Sequence, residues 1–581
     1  MANIMSLKSL RNKTSRNGFD LSSKRNFTAK AGELLPVKTW EVLPGDTFRI
    51  DLKAFARTQP LNTAAFARMR EYYDFYFVPY DLLWNKANTA LTQMYDNPQH
   101  AISFDPTVNF ILSGDMPYLT CHQIADYLNG VASDITDNSV KNYFGYNRGL
   151  LSAKLLEYLG YGNFYSYAEN SGYDWANNPL KNNLQLNLFG LLAYQKIYAD
   201  FHRDSQWEKI SPSTFNVDYM DGQDMNLDIS GSVRFSENYN MFDLRYCNWQ
   251  KDLFHGVVPR SQYGDVASIS LDSNVLIHGQ PVITATNILS SGQSSEIKIK
   301  GGTATAGSNL TTAGSFSILA LRQAEFLQKW KEITQSGNKD YKEQVEKHWN
   351  VSPGDGFSEM CTYLGGISSS MDINEVVNNN ITGDYAADIA GKGTGISNGV
   401  INFNSQGRYG LIMCIYHCLP LIDYTTDLVS PIFTKVNATD YAIPEFDRVG
   451  MQQVPLALFS NPSLSDFGSL IIDHIGYAPR YIDYKTDVDS SVGAFKTTLN
   501  SWVISYDNGS LIKQLGSVDS NNQPSPSAAP LNYTMFKVNP DSLNPIFAVN
   551  ADSTVDTDQF LCSSFFDVKV VRNLDTDGLP Y

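Results

Sequence analysis

Apolar and polar positions alternate in short runs along much of the chain, with the period of β-strands. Phe48, Ile50 and Leu52 follow the turn signals Pro36 and Pro44-Gly45-Asp46, which predicts a strand at the end of segment 34–52. A second strand is predicted over 69–79. It places Met69, Glu71, Tyr73, Phe75 and Phe77 on one face and Arg70, Tyr72, Asp74, Tyr76 and Val78 on the other. Aromatics on both faces imply that both faces meet protein. Further strands are predicted at 409–421, 501–506 and 565–571. The period turns helical in two places. Leu188, Leu191, Leu192, Gln195 and Tyr198 share one face within 186–201, and Leu319, Phe326, Leu327, Trp330 and Ile333 form a stripe within 316–334 that Ser336-Gly337 closes.

Three stretches have no period. Residues 1–30 are polar and basic. Residues 265–316 are dominated by Ser, Thr, Gly and Asn, and read as an inserted surface loop or small β-excursion. Residues 378–405, rich in Asn and Gly, read as another loop. β-rich ends with helices and loops between them predict a mainly β fold: one sandwich whose discontinuous core comes from about 31–95 and 405–581 plus intervening segments. No repeat at solenoid or propeller period is present.

Composition narrows the class. Only 18% of the 581 residues are charged, while Tyr (33) and Phe (31) are abundant. Charge-poor, aromatic-rich chains suit subunits that bury surface against neighbours. A secreted β-sandwich that binds carbohydrate shares this composition, but no apolar leader is visible at the N-terminus, so no secretory signal is expected. Net charge is −16, unevenly spread. Residues 1–30 hold Lys8, Arg11, Lys13, Arg16, Lys24, Arg25 and Lys30 against Asp20 alone, a local net of +6 that leaves −22 on the rest. A basic arm on an acidic body points to a polyanion partner, and Lys8, Arg11, Lys13, Arg16, Lys24 and Arg25 are the candidate phosphate contacts. The competing account is a solvated terminus with no ligand.

Catalytic and metal motifs fail on context. The run Gly391-Lys392-Gly393-Thr394-Gly395 has no Ser or Thr after the Lys, so a phosphate loop is excluded. Gly395-Ile396-Ser397-Asn398-Gly399 matches a hydrolase nucleophile pattern but lacks the strand before and helix after that this turn requires. His202-Arg203-Asp204 has no accompanying kinase motifs and reads as a helix end. Six scattered cysteines form no CxxC pair and read as buried thiols; Cys414 and Cys418 flank His417 in an apolar strand. No enzyme activity, catalytic residue, metal site or cofactor is expected.

Ordered blocks of sequence then carry a resemblance. They include Phe27-Thr28-Ala29-Lys30-Ala31-Gly32-Glu33-Leu34-Leu35-Pro36, Val42-Leu43-Pro44-Gly45-Asp46, Tyr76-Phe77-Val78-Pro79-Tyr80-Asp81-Leu82-Leu83-Trp84, and Asn248-Trp249-Gln250-Lys251-Asp252-Leu253-Phe254. Leu321-Arg322-Gln323-Ala324 with Leu327-Gln328-Lys329-Trp330, Pro444-Glu445-Phe446 and Gly476-Tyr477-Ala478-Pro479-Arg480 continue the series. Together they resemble the major capsid proteins of the Microviridae, in particular the gokushovirus-like and Bacteroidetes-associated branches. The resemblance implies a single eight-stranded antiparallel jelly roll with large inter-strand insertions, assembled as a T=1 icosahedral shell of 60 copies around a circular single-stranded DNA genome. It places the arm 1–30 inside and assigns 31–581 to the capsid domain. Residues 265–316 become a threefold protrusion for host attachment. Expected partners are further copies of the chain, the DNA genome, a small basic internal DNA-binding protein, a pilot or minor capsid protein and a host cell-surface receptor. The expected location is the virion, assembled in the bacterial cytoplasm.

Overall fold

The computed structural model describes residues 15–92, 116–132, 142–165, 184–220, 240–262, 264, 272–276, 311–315, 318–377, 389–448, 450–460, 474–507, 533–547 and 558–576. Two compact units result, one of Met1–Pro259 with Glu359–Tyr581, the other of Arg260–Ser358.

The first unit is built on strands β1 (Asn17–Asp20), β2 (Ser23–Ala29), β3 (Leu35–Val42), β4 (Thr47–Thr58), β5 (Arg68–Pro79), β6 (Thr362–Val377), β7 (Ile389–Asn404), β8 (Gly410–Leu421) and β9 (Phe560–Arg572). Eight of them run in the order β1-β9-β4-β7-β6-β5-β8-β3, all antiparallel, and β2 also pairs with β9. Two strands make the sheet curl. In β6, Thr362–Met371 pair with β5 while Asp372–Val377 pair with β7; in β7, Thr394–Asn404 pair with β4. The ends of the sheet therefore turn to face one another across the core. Tyr73 Oη meets Ser564 Oγ at 3.0 Å, and ring centroids of Phe77 and Phe403 lie 4.7 Å apart, those of Trp40 and Phe566 5.4 Å. The antiparallel, mainly β character expected from the sequence is present as a curled half-barrel.

Alternation explains why these strands form. Along β4, Phe48, Ile50, Leu52, Ala54 and Ala56 are buried while Arg49, Lys53 and Arg57 are exposed. The turn before β4 works through Gly45, at φ +88°, and Asp46, whose carboxylate accepts the Leu43 N–H at 3.0 Å. From Tyr73 onward β5 is buried on both faces, as its two-sided aromatics predict.

The segment 378–405 departs from its loop reading. Residues 389–404 are a long central strand, while 378–388 lie outside the described residues. Its glycines fall at alternate positions on the inner face, where neighbouring segments of the chain approach closely. A Cβ on Gly391 would sit 2.5 Å from the Thr63 carbonyl, on Gly393 2.5 Å from Thr58 Cγ2, and on Gly399 2.6 Å from Ile367 Cγ1. Glycine is required by close approach here, not by a turn. Ser397, in the hydrolase-like pattern, sits mid-strand and donates to Glu71 Oε1 at 2.6 Å. It is a buried polar node with Ser369, and burial raises the Glu71 carboxyl above its ordinary range against those two hydroxyl bonds.

Helices α1 (Cys121–Ala132), α2 (Arg148–Leu159) and α3 (Phe189–Ile197) belong to the same unit. Asn147 caps α2 by accepting from Gly149 and Leu150, and Gly160 ends it at φ +94°. The helix is tied down by buried ion pairs, Arg148 with Asp243 at 2.8 Å and Lys154 with Glu33 at 2.7 Å and Asp558 at 3.0 Å. The predicted helix 186–201 is a strand at Gln185–Asn187, then α3, then one π-helical turn over Tyr198–His202 that holds the His-Arg-Asp triplet's histidine. The predicted strand 501–506 is reduced to Ser505–Tyr506 behind a 3-10 turn at Asn500–Trp502. All six cysteines are buried and free of disulfides.

The second unit contains helices α4 (Ile318–Gln335), as the apolar stripe predicts, and α5 (Tyr341–Trp349). The loop predicted at 265–316 is described only at Asp272–Leu276 and Thr311–Ser315, which pair antiparallel; the rest lies outside the described residues. Among the described residues no helix is long and apolar enough to cross a membrane, and no group of three metal-ligating side chains converges.

Candidate nucleic-acid interface

The six basic residues singled out in the arm have separate fates. Lys8, Arg11 and Lys13 lie outside the described residues. The remainder of the predicted arm is ordered strand: β1 and β2 lie along β9, with Asn17 opposite Arg572 and Lys24 opposite Phe565. Arg16 donates to the Gly45 carbonyl at 3.0 Å and to Thr47 Oγ1 at 2.9 Å. Arg25 donates to the Tyr158 carbonyl at 3.1 Å, at the C-terminal end of α2, where a cation satisfies an orphan carbonyl and the helix dipole together. These two arginines fasten the arm to the fold. Lys24 points outward and is exposed.

Lys24 is one corner of a larger array. Residues i, i+2 and i+4 of a strand share a face, so the polar half of the β4 alternation lines up Arg49, Asp51, Lys53, Phe55 and Arg57 on the outside. The register extends this across four strands. Lys24 of β2, Phe565 of β9, Lys53 of β4 and Asn398 of β7 form one row. Asn26, Ser563, Phe55 and Ile396 form the next, and Thr28, Leu561, Arg57 and Thr394 the third. Strands lie ~4.8 Å apart and alternate residues ~7 Å apart, so the array is a grid of cations interleaved with aromatic and aliphatic side chains. The Arg57 guanidinium lies 4.9 Å from the Phe55 ring centroid. Among the described residues Lys24, Lys53 and Arg57 make no ion pair.

Carboxylates stand at both ends, Glu157 and Asp558 along the groove beside the grid, Asp51 between Arg49 and Lys53, and Asp20 and Asp567 around Lys569. Lys569, opposite Arg49, pairs with Asp20 at 2.5 Å and Asp567 at 3.3 Å, and its hydrogen bond holds Asp20 well below the usual carboxylate range. Lys569 is compensated by these two carboxylates, whereas among the described residues Lys24, Lys53 and Arg57 stand outside any such pair.

Next to the grid is a groove of about 990 Å³, lined by Lys24, Arg25, Phe55, Arg57, Tyr158 and Tyr165 among others. Lys154 also lines it. Burial alone would lower that ammonium, but Glu33 and Asp558 hold it above its ordinary range. With both carboxylates in contact, Lys154 is a structural cation. What the arrangement offers chemically is a cationic surface with ring faces, the combination that binds a polyanionic single strand without reading its sequence. The sequence reading missed Lys53, Arg57 and Phe55. The signal was present in the polar half of the β4 alternation, whose apolar half had already identified the strand.

Comparison with known proteins adds a family. Residues 8–148 and 164–581 match the family described as "Capsid protein (F protein)". The chain is 24% identical to "Capsid protein VP1" of Chlamydia phage 1, over 97% of this chain and 95% of the relative. It is 22% identical to "Capsid protein VP1" of Bdellovibrio phage phiMH2K, over 83% of each. Both phages are Microviridae.

Proposed function

Since this chain belongs to the phage capsid protein (F protein) family and is a major capsid protein, we propose that it closes into a T=1 icosahedral shell around a circular single-stranded DNA genome, with the grid of Lys24, Lys53, Arg57 and Phe55 turned inward. The observation that carries the second half of this reading is a cationic, ring-studded sheet face on a chain of net charge −16. An acidic subunit repels DNA everywhere except where cations are left unpaired, and this face has them. Lys8, Arg11 and Lys13, which lie outside the described residues, are further phosphate contacts under this reading, and Arg16 and Arg25 anchor strands β1 and β2. The chain performs no chemistry in this role.

The half-barrel is the inner part of an eight-stranded jelly roll under this reading, with 31–581 as the capsid domain. Segment 265–316 is the threefold protrusion that meets a host cell-surface receptor. A shell this acidic needs help with genome charge, so a small basic internal protein is a partner, with a pilot protein completing the virion assembled in the host cytoplasm.

The test is particle production with the triple variant Lys24→Gln, Lys53→Gln, Arg57→Gln. Closed shells with reduced DNA content are expected by electron microscopy and the ratio of absorbance at 260 to 280 nm. Full packaging at every ionic strength would refute the assignment of the grid, and failure of the unaltered chain to enter any particle would refute the shell itself.

A further inference from the structure

The chain between β8 and β9 contains a region that covers one ion pair and exposes a large apolar surface. Short 3-10 turns at Pro431–Thr434, Ala438–Asp440 and Pro444–Phe446 pack against another at Ile482–Tyr484. One ion pair is covered. Lys435 bonds Asp483 at 2.6 Å with side-chain exposures of only 10% and 14%, and its ammonium lies 3.5 Å from the Tyr484 ring centroid. Asp440 accepts from the backbone N–H groups of Val436 at 3.0 Å and Asn437 at 2.8 Å, while the Lys485–Asp447 pair, at 2.6 Å, stays at the surface with exposed Glu445 and Arg448.

The apolar side chains are outside. Val436 is 83% exposed, Phe433 81% and Ile432 70%, with Tyr441, Tyr484 and Phe446 also exposed. A loop adapted to water would do the opposite, since hiding Lys435 and Asp483 while wetting Phe433 and Val436 costs solvation twice. Internal bonds fix the turns in this arrangement, so the surface is preformed and does not pay an ordering cost on contact.

We infer that this flap is a contact surface for a second copy of the same chain. The inference rests on the capsid reading and names the residues by which one subunit grips another. Area supports the choice of occupant: taking each exposed side chain as part of roughly 150–200 Å², six of them present ~600–700 Å², against the ~800 Å² per partner of a stable interface and the ~300–600 Å² of the largest apolar patch on a typical monomer. In a closed shell every copy is surrounded by identical neighbours, so a surface of this size is matched by another part of the same chain in a heterologous contact.

The experiment compares purified particles with subunits dissociated from them. Hydroxyl-radical labelling of Phe433, Tyr441 and Tyr484 is expected to fall several-fold in the particles. Equal labelling in both states overturns the proposal while the capsid reading stands, because the particles themselves contain the chain. Protection in complete particles but not in shells of this chain alone assigns the flap to another virion protein and overturns it equally. The double variant Phe433→Asp, Val436→Asp, with an unchanged circular dichroism spectrum and melting temperature, is expected to sediment as subunits with loss of shells. Shells at the unaltered yield would overturn the contact. Absence of the unaltered chain from particles would instead bring down the capsid reading.

Discussion

The curled sheet and the flap between β8 and β9 solve the placement of apolar and charged groups in opposite ways. In β4 Phe48, Ile50, Leu52, Ala54 and Ala56 point in while the cations, with Phe55 between them, point out; in the flap Lys435 and Asp483 are covered and Ile432, Phe433 and Val436 are out. The sheet is finished as a single chain. The flap is finished only when something apolar covers it. One polypeptide can thus carry a surface for solvent or polyanion and another for protein, distinguished by which half of the amphipathic pattern is turned outward.

The contrast breaks most sharply if matched truncations fail to differ. Phe48→Ala removes a fully buried ring and should cost roughly 3–5 kcal/mol, whereas Phe433→Ala, at 81% exposure, should change subunit stability by no more than ~0.5 kcal/mol. Urea midpoints of dissociated subunits measure both, and a large effect at Phe433 would mean that the flap is packed within its own chain.

A second test concerns buried charge in the sheet. Burial pushes Asp74 up to about 6, against a hydrogen bond from Tyr363 Oη that lowers it, and its neighbour His417 is pushed by burial down to about 4. The folded state therefore holds the Asp74 proton more tightly than the unfolded chain does. That contribution is fully present below the unfolded value near 4 and is lost as pH rises through about 6. Asp74→Asn should remove it, so that between pH 4 and 7.5 the unaltered subunit loses roughly 2–3 kcal/mol more stability than the variant. Equal pH profiles would show that the carboxylate is solvated.

Close approach in the core is probed by Gly391→Val, whose Cβ would meet the Thr63 carbonyl at 2.5 Å, an unyielding backbone atom. A loss of about 1–3 kcal/mol is expected, read from the melting temperature. The smallest stability effect should come from Lys24→Gln, Lys53→Gln, Arg57→Gln, within ~0.5 kcal/mol because these groups face solvent. The same variant should reduce the slope of log K against log salt for single-stranded DNA by about 2, at ~0.7 per phosphate contact. An unchanged slope would remove the grid from the interface.

Much of this was legible in the residues. Strands β4, β5, β8 and β9 and helix α4 follow their periods, because a two-residue or 3.6-residue repeat survives whatever the chain packs against. The basic character of the first 30 residues was equally plain. The strand state of 17–29 was not, because pairing with β9 comes from the far end of the chain and leaves no local mark. The central strand β7 was misread for a related reason. Its inner positions are glycine, so the usual apolar alternation is absent, and the composition imitates a loop.

By itself, the sequence determined the β-strand periods, the charge asymmetry and the ordered blocks that resemble one capsid family, since each depends on residue identity and spacing alone. Only the tertiary structure decided that Lys24, Lys53, Arg57 and Phe55 share a surface, that the glycines of β7 make room for segments packed closely against them, and that the flap wears its apolar side outward. Those are properties of register and packing, and register is set by which distant segments meet across the core.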